Sequence, residues 1–372
     1  MSITRRHLLV GGAGLAAGAA VSIPSPLPKY HFDRRRKRSR VAILNVDQYS
    51  PKVEELLESA LRLFSIDVAG KAVLLKPNLV DYLPGDAINT HPSLVLAAAE
   101  CFRRLGAKSV EVGEGPGHQR DTQLVLSQSG YEDCLRSEKI RFVDLNHDEL
   151  VRTRLLAGYS GMKQLWLPRT VLDADFVVSM PKIKAHHWSG VTLSMKNMFG
   201  IVPGMRYGWP KNILHWAGIQ QSILDICATV SVQFVIADGI IAMEGNGPLN
   251  GSQRHLGKIV ISNDPVAADA TCALLMGFEP NRIAHIREAS RFLGNSSTAL
   301  TDQVGEPLKA PGVPFQVVPA LGVSSLFDVG LVGENLLWIS ALLAISSAKA
   351  RRNLDRKRKL RSAKKGSAIR RA

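Results

Sequence analysis

The chain has 372 residues, 45% of them hydrophobic, with a mean hydropathy of +0.02, so it can build one large core or two ordinary ones. Its formal charge of +15 sits at the ends: residues 1–40 carry +8 and residues 349–372 carry +11, which leaves residues 41–348 at −4. A duplex-binding domain keeps its basic stripe on the folded body, and this body is mildly acidic, so nucleic acid is not an expected partner.

In chain order, the first feature is Arg5-Arg6 just before a weakly hydrophobic Gly/Ala stretch that ends in the small-residue run Ala17-Gly18-Ala19. That pattern predicts a twin-arginine export signal, hence the twin-arginine translocase as a partner and a place on the far side of the cytoplasmic membrane. The basic run Arg34–Arg38 beyond it disfavours the general secretory route.

From Val41 onward short β-rich runs alternate with amphipathic stretches. Strands are predicted over 41–46, 71–78, 109–115, 141–146, 174–182, 232–240 and 258–265. Helices are predicted over 52–64 (Val53, Leu56, Leu57, Ala60, Leu61 and Leu63 forming the apolar stripe), from Pro92 to Leu105 with Gly106 as its stop, and over 122–129. Residues 147–170 and the Gly/Pro-rich 200–213 read as irregular insertions over a site. Strands alternating with helices predict an α/β fold, a mainly parallel sheet with helices on both faces in Rossmann-like layers. The uncharged run Asn335–Ala348, within the apolar 331–348, fits a C-terminal hydrophobic helix that either anchors the chain in a membrane or packs on the domain. The basic tail behind it would then stay cytoplasmic. The expected division is a signal and basic linker over 1–40, an α/β domain over 41–320, a linker and anchor helix over 321–348, and a basic tail over 349–372.

In open α/β sheets ligands bind beyond the carboxyl ends of the strands, so polar residues there carry the most weight. Lys76 and Asn78 follow a buried strand and suit an anionic ligand. Gly113, Gly115 and Gly117 form GxGxG, which lacks the spacing of a dinucleotide fingerprint but allows backbone to approach a ligand closely. The densest stretch is SMPKIKAHHWSGVTLSMKNMFGIVPG. In an extended chain Lys182, Lys184 and His186 share one side, with Lys196 and Asn197 following. That pattern aims cations and an imidazole at one spot, suiting a carboxylate or phosphate, with His186 or a lysine as acid–base group. Asp238, at a strand end, is a candidate base, and Glu244 six residues later makes a divalent metal the cofactor such carboxylates would admit. Asp264 precedes Pro265 and suits an N-cap. Asp269, on an otherwise apolar helix, needs a partner, such as a lysine of the cluster, or joins Glu244 at the metal. His215 is either a member of the site or a structural histidine.

The segments LLKPN, GEGPG, SMPKIKAHHWSGVTLSMKNMFGIVPG, ADGIIAMEGNGPLNG and NDPVAADATCALLMG, in this order, resemble the bacterial and archaeal domain-of-unknown-function family 362 over roughly residues 41–295. The resemblance implies a single α/β domain, and some members carry ferredoxin-type cysteine clusters. Cys101, Cys134, Cys227 and Cys272 are too scattered for such a cluster, so no iron–sulfur centre is expected. The family supplies no catalytic residues to carry over. The reading is therefore an exported, membrane-anchored α/β protein, an enzyme or a non-catalytic binder of a small anionic ligand. Lys184, His186 and Asp238 would do the chemistry, and Lys76, Asn78, Lys182, Lys196 and Asn197 the binding.

Overall fold

A computed structural model describes residues 33–317, apart from residues 86, 118–120 and 210. The expected export signal, the C-terminal hydrophobic helix and the basic tail lie outside the described residues. Among the described residues no helix is long and apolar enough to cross a membrane.

Twelve strands are described: β1 (Ser39–Asn45), β2 (Ala72–Pro77), β3 (Ser109–Glu114), β4 (Arg141–Asp144), β5 (Leu150–Arg154), β6 (Gln164–Pro168), β7 (Phe176–Met180), β8 (Lys182–His186), β9 (Gly190–Thr192), β10 (Phe234–Asn246), β11 (Asn250–Ser262) and β12 (Thr301–Gly305). The helices are α1 (Lys52–Leu61), α2 (Pro92–Arg104), α3 (Thr122–Gln128), α4 (Tyr131–Ser137), α5 (Arg169–Asp173), α6 (Ser194–Asn197), α7 (Gly204–Tyr207), α8 (Asn212–Trp216), α9 (Ile219–Thr229), α10 (Pro265–Leu275) and α11 (Ala284–Ala289).

The central sheet runs β12-β1-β11-β10-β7-β2-β3-β4. From β10 through β7, β2 and β3 to β4 every pairing is parallel, and so is β1 with β12. Strand β11 is antiparallel to both β1 and β10. The three residues Gly247, Pro248 and Leu249 that link β10 to β11 are too few for the crossover a parallel neighbour requires, so the pair closes as a hairpin. Strand β8 continues from β7 past Pro181 and stays beside β10, then turns back antiparallel into β9. The fold is thus mixed α/β with a mostly parallel sheet.

Apolar side chains alternate between the two faces, as a period of two demands. Val73 and Leu75 of β2 join Val53, Leu57, Leu94, Val95 and Phe102 on one face. Leu74 faces the other way, with Val177, Val235, Val260, Ile223 and Ala267. Each such fully buried Val or Leu contributes roughly 1.5–3 kcal/mol over exposure, and burial on both faces explains why the central strands read as unbroken apolar runs.

The helix ends follow from their residues. His91 caps α2, its Nδ1 accepting from Ser93 N, and Pro92 opens the first turn. Gly106 follows the helix with φ +86°, a conformation that costs glycine nothing. Asp264 caps α10 by accepting from Val266 N and Ala267 N at 2.8 and 3.2 Å. In α1 the buried stripe is Val53, Leu57, Ala60 and Leu61, whereas Leu56 and Leu63 face solvent.

Two expectations need correction. Residues 147–170 are not an irregular insertion: β5 and β6 form a two-stranded antiparallel sheet. Leu165 and Leu167 of that sheet are buried in the core. The strand expected over 258–265 begins at Asn250, and its first half forms an arm with the far half of β10.

Candidate functional site

The carboxyl ends of β2, β3 and the β7–β8 continuation meet the α6–α8 segment and the tip of the β10–β11 arm around a cavity of about 190 Å³. The Gly/Pro-rich 200–213 does border it, folded as the short helices α7 and α8.

A buried frame stands behind this cavity. Lys76 Nζ is ion-paired with Glu114 and donates to Asn197 Oδ1 at 2.9 Å and Pro77 O at 3.0 Å. Glu114 also accepts from Gly115 N and Leu79 N. Asn197 Nδ2 donates to Lys76 O and to Ser179 Oγ, which ties α6 to β2 and β7. A Cβ on Gly200 would overlap Lys76 Nζ and Glu114 Oε1, so a larger residue here has to displace the ion pair. Lys76 was a candidate ligand residue; all three of its donors are instead taken inside the frame, and it positions Glu114 and Asn197.

In front of the frame the cations are differently placed. Lys184 is fully buried, and its Nζ donates to Ile88 O at 2.8 Å and Pro248 O at 3.3 Å. Burial drives its pKa well below the ordinary lysine value, and Lys196 and Lys182 push it the same way. Lys196 lies over the Phe199 ring, 4.0 Å from its centroid. Burial, with Lys76 nearby, pulls it down to about 7. Lys211 donates to Gly115 O, Phe199 O and Gly200 O, and burial brings it to about 7 as well. Among the described residues none of these three lysines has a carboxylate within ion-pair distance. Glu114, the acid on the cavity wall, is held by Lys76.

The imidazoles are fixed by their neighbours. His186 Nδ1 accepts from Trp188 N at 3.0 Å and Ser189 N at 3.3 Å. Burial, with Lys196 and His187 adding to it, holds the ring well below its ordinary pKa and so neutral. Its proton therefore sits on Nε2, and His186 offers a hydrogen-bond donor. Of the acid–base roles expected of His186, this arrangement suits the donor: a neutral ring whose Nδ1 accepts has no second lone pair to give. His187 is the converse, since its Nδ1 donates to Gly247 O and leaves Nε2 as the acceptor. His215, on α8, reaches the cavity with its ring against Trp188 and Phe199.

The remaining candidates lie elsewhere. Asp238 accepts from Lys182 Nζ at 2.9 Å, Tyr49 Oη at 2.7 Å and His91 N at 2.9 Å, and Tyr49 stacks on His91. Lys182 and Asp238 thus lock one another outside the cavity, and Asp238 is no base for a ligand held there. Among the described residues Asp269 takes no lysine partner. It accepts from Ser194 Oγ and N and from Met195 N, which fixes the start of α6, and burial raises it to about 7. Glu244 pairs with Arg254 at 2.7 Å and accepts from Gln316 N on the arm. Glu244 and Asp269 do not meet. Among the described residues no group of three or more His, Cys, Asp or Glu is placed to hold a metal.

Sequence reasoning missed Lys211, Thr192 and Asn246 as cavity residues and gave His187, a member of the Lys/His cluster, no role. The position of Lys211 within the Gly/Pro-rich segment was the available signal.

The profile of the family described as Domain of unknown function (DUF362) matches residues 73–274, more than half of the chain. A thylakoid-associated protein of Synechocystis sp. is 30% identical over 233 residues, which is 62% of this chain and 70% of that protein. Among solved structures, the lactate racemase apoprotein of Thermoanaerobacterium thermosaccharolyticum aligns with a TM-score of 0.38 at 14% identity, covering 62% of this chain and 58% of the other. A structural-genomics protein from Thermotoga maritima aligns with a TM-score of 0.36 at 13% identity, covering 63% and 61%. The chain therefore spans less than two thirds of either solved structure.

Proposed function

The chain belongs to the family described as Domain of unknown function (DUF362), and from that premise we propose that it is an enzyme whose cavity binds a small anionic substrate or cofactor. One observation carries the reading: the buried Lys184 and Lys211 and the half-buried Lys196 surround a single cavity, and no carboxylate pairs with any of them among the described residues. Burying unpaired cations is costly, and a bound carboxylate or phosphate offsets that cost. Lys196 retains its donors, Lys184 has one donor left beside its two carbonyls, and His186 adds Nε2–H. Lys211, with three carbonyl partners, contributes charge alone. His187 Nε2 is the cavity's proton acceptor, and Lys196, titrating near neutrality, is its matching acid–base group.

Calorimetric titration of the full-length protein with inorganic phosphate and with succinate, in buffers of different ionisation enthalpy, tests this. Binding accompanied by proton uptake is the expected result, because an anion restores the lysines' affinity for protons. Binding of neither anion overturns the reading.

We also propose that the protein is exported through the twin-arginine route and works at a membrane surface. Arg5-Arg6, the apolar run 331–348 and the 30% identical thylakoid-associated relative support this. Changing Arg5 and Arg6 to lysine should retain the protein in the cytoplasm on fractionation; unchanged export would refute the route.

A further inference from the structure

Resting on the anion-binding reading, the walls between the cations narrow the ligand further. Lys196 and Lys211 both meet Phe199, one over its ring and the other at its carbonyl. From Phe199 a row of rings runs along the cavity: Phe199 to His215 at 5.3 Å, His215 to Trp188 at 5.3 Å, and Trp188 to His187 at 4.5 Å between centroids. Phe199 and His215 are buried and support this row, whereas Trp188 and His187 are half-buried and keep accessible surface. Val80, beyond the end of β2, and Pro248 and Leu249, at the tip of the β10–β11 arm, are half-buried cavity residues as well. The tip is held in place from β8 and the residue after it: Lys184 donates to Pro248 O and His187 to Gly247 O. A bare phosphate or acetate answers the lysines and leaves this aromatic and apolar surface wet. Concave apolar surface around a few placed polar groups suits a ligand with an apolar body. A flat ring gains more on an aromatic wall than its buried area alone accounts for. The cavity of about 190 Å³ sets the size. An apolar cavity of about 150 Å³ holds benzene, so there is room here for one ring and a small charged head.

We infer that the ligand is an anion with a single aromatic ring, a carboxylate or a phosphate ester, its charged head on Lys184, Lys196 and His186 and its ring against Trp188 and His187 beside the Pro248–Leu249 tip.

Two matched pairs, titrated calorimetrically into the full-length protein, provide the test: benzoate against acetate, and phenyl phosphate against inorganic phosphate. The aryl member should bind at least tenfold tighter in at least one pair, and the saturated cyclohexyl analogue of that aryl anion at least threefold more weakly than the anion itself. In Trp188→Ala the preference within the pair should shrink to threefold or less; Leu249→Ser, at the half-buried tip of the arm, serves if Trp188→Ala does not fold. A preference below tenfold in both pairs sinks this inference and leaves the anion site standing. A cyclohexyl analogue that binds as tightly as the aryl anion, or a preference that stays above threefold in the folded variant, also sinks it. No binding of any probe, inorganic phosphate included, removes the anion site and this inference together.

Discussion

Lys182 and Lys184 stand two residues apart on β8, face the same side and are both buried, yet their surroundings differ in kind. Lys182 meets a carboxylate at 2.9 Å and a tyrosine hydroxyl at 2.8 Å. Burial depresses its pKa, and Asp238 opposes the shift. Lys184 meets two carbonyls, and its neighbouring cations deepen the depression. The first charge is neutralised by the fold and ties β8 to β10 and to Tyr49. The second is left for something that arrives later. A paired buried lysine is a structural joint, and an unpaired one next to a cavity is where the proposed anion would bind.

Four experiments break or sharpen that contrast. Asp238→Ala strands Lys182 as an uncompensated buried charge, and chemical denaturation should show a loss of about 3–5 kcal/mol; a loss below 1 kcal/mol would mean that the pair is not the joint described. Gly200→Ala pushes a methyl into the Lys76–Glu114 frame behind the cavity, with an expected cost of about 1–3 kcal/mol. An unchanged melting temperature would show that the frame yields easily. Lys184→Met removes an unpaired buried amine but also the donor to Ile88 O and Pro248 O, so stability should fall less than in Asp238→Ala, while phosphate or carboxylate affinity falls about tenfold, or ~1.4 kcal/mol. Destabilisation with affinity intact would place Lys184 with Lys182 as a structural residue.

The smallest effect is in pH. Lys196 and Lys211 are held near 7 in the folded protein against an ordinary lysine value of 10.5. Between these values the unfolded chain binds more protons, so the two groups make the ligand-free protein more stable as pH rises from about 7 towards 10.5. Anion affinity moves the other way, falling about threefold per titrating lysine from half a pH unit below 7 to half a unit above. Affinity independent of pH across that window would remove both lysines from binding.

The outline of the fold was legible locally. Apolar runs such as Val73–Leu75, the Pro92 helix start, the Gly106 stop and the Asp264 cap each depend on residues a few positions apart. The Lys/His segment was legible as a candidate because it packs cations after a strand with no acid among them, and Lys184, His186 and Lys196 do line the cavity. The β5–β6 pair was not, since its Arg152 and Arg154 hide the strand pattern, and neither was Lys211, an isolated lysine whose importance rests on three carbonyls it meets only when folded.

By itself the sequence determined the alternation of strands and helices, the edge of the sheet where chemistry belongs, and which residue types stand there. Only the tertiary structure decided which charges are spent on one another. Partners such as Asp238 for Lys182, Glu114 for Lys76 and Ser194 for Asp269 lie 56, 38 and 75 positions apart. Whether a buried charge is matched depends on distances of a few ångströms between segments the sequence keeps far apart.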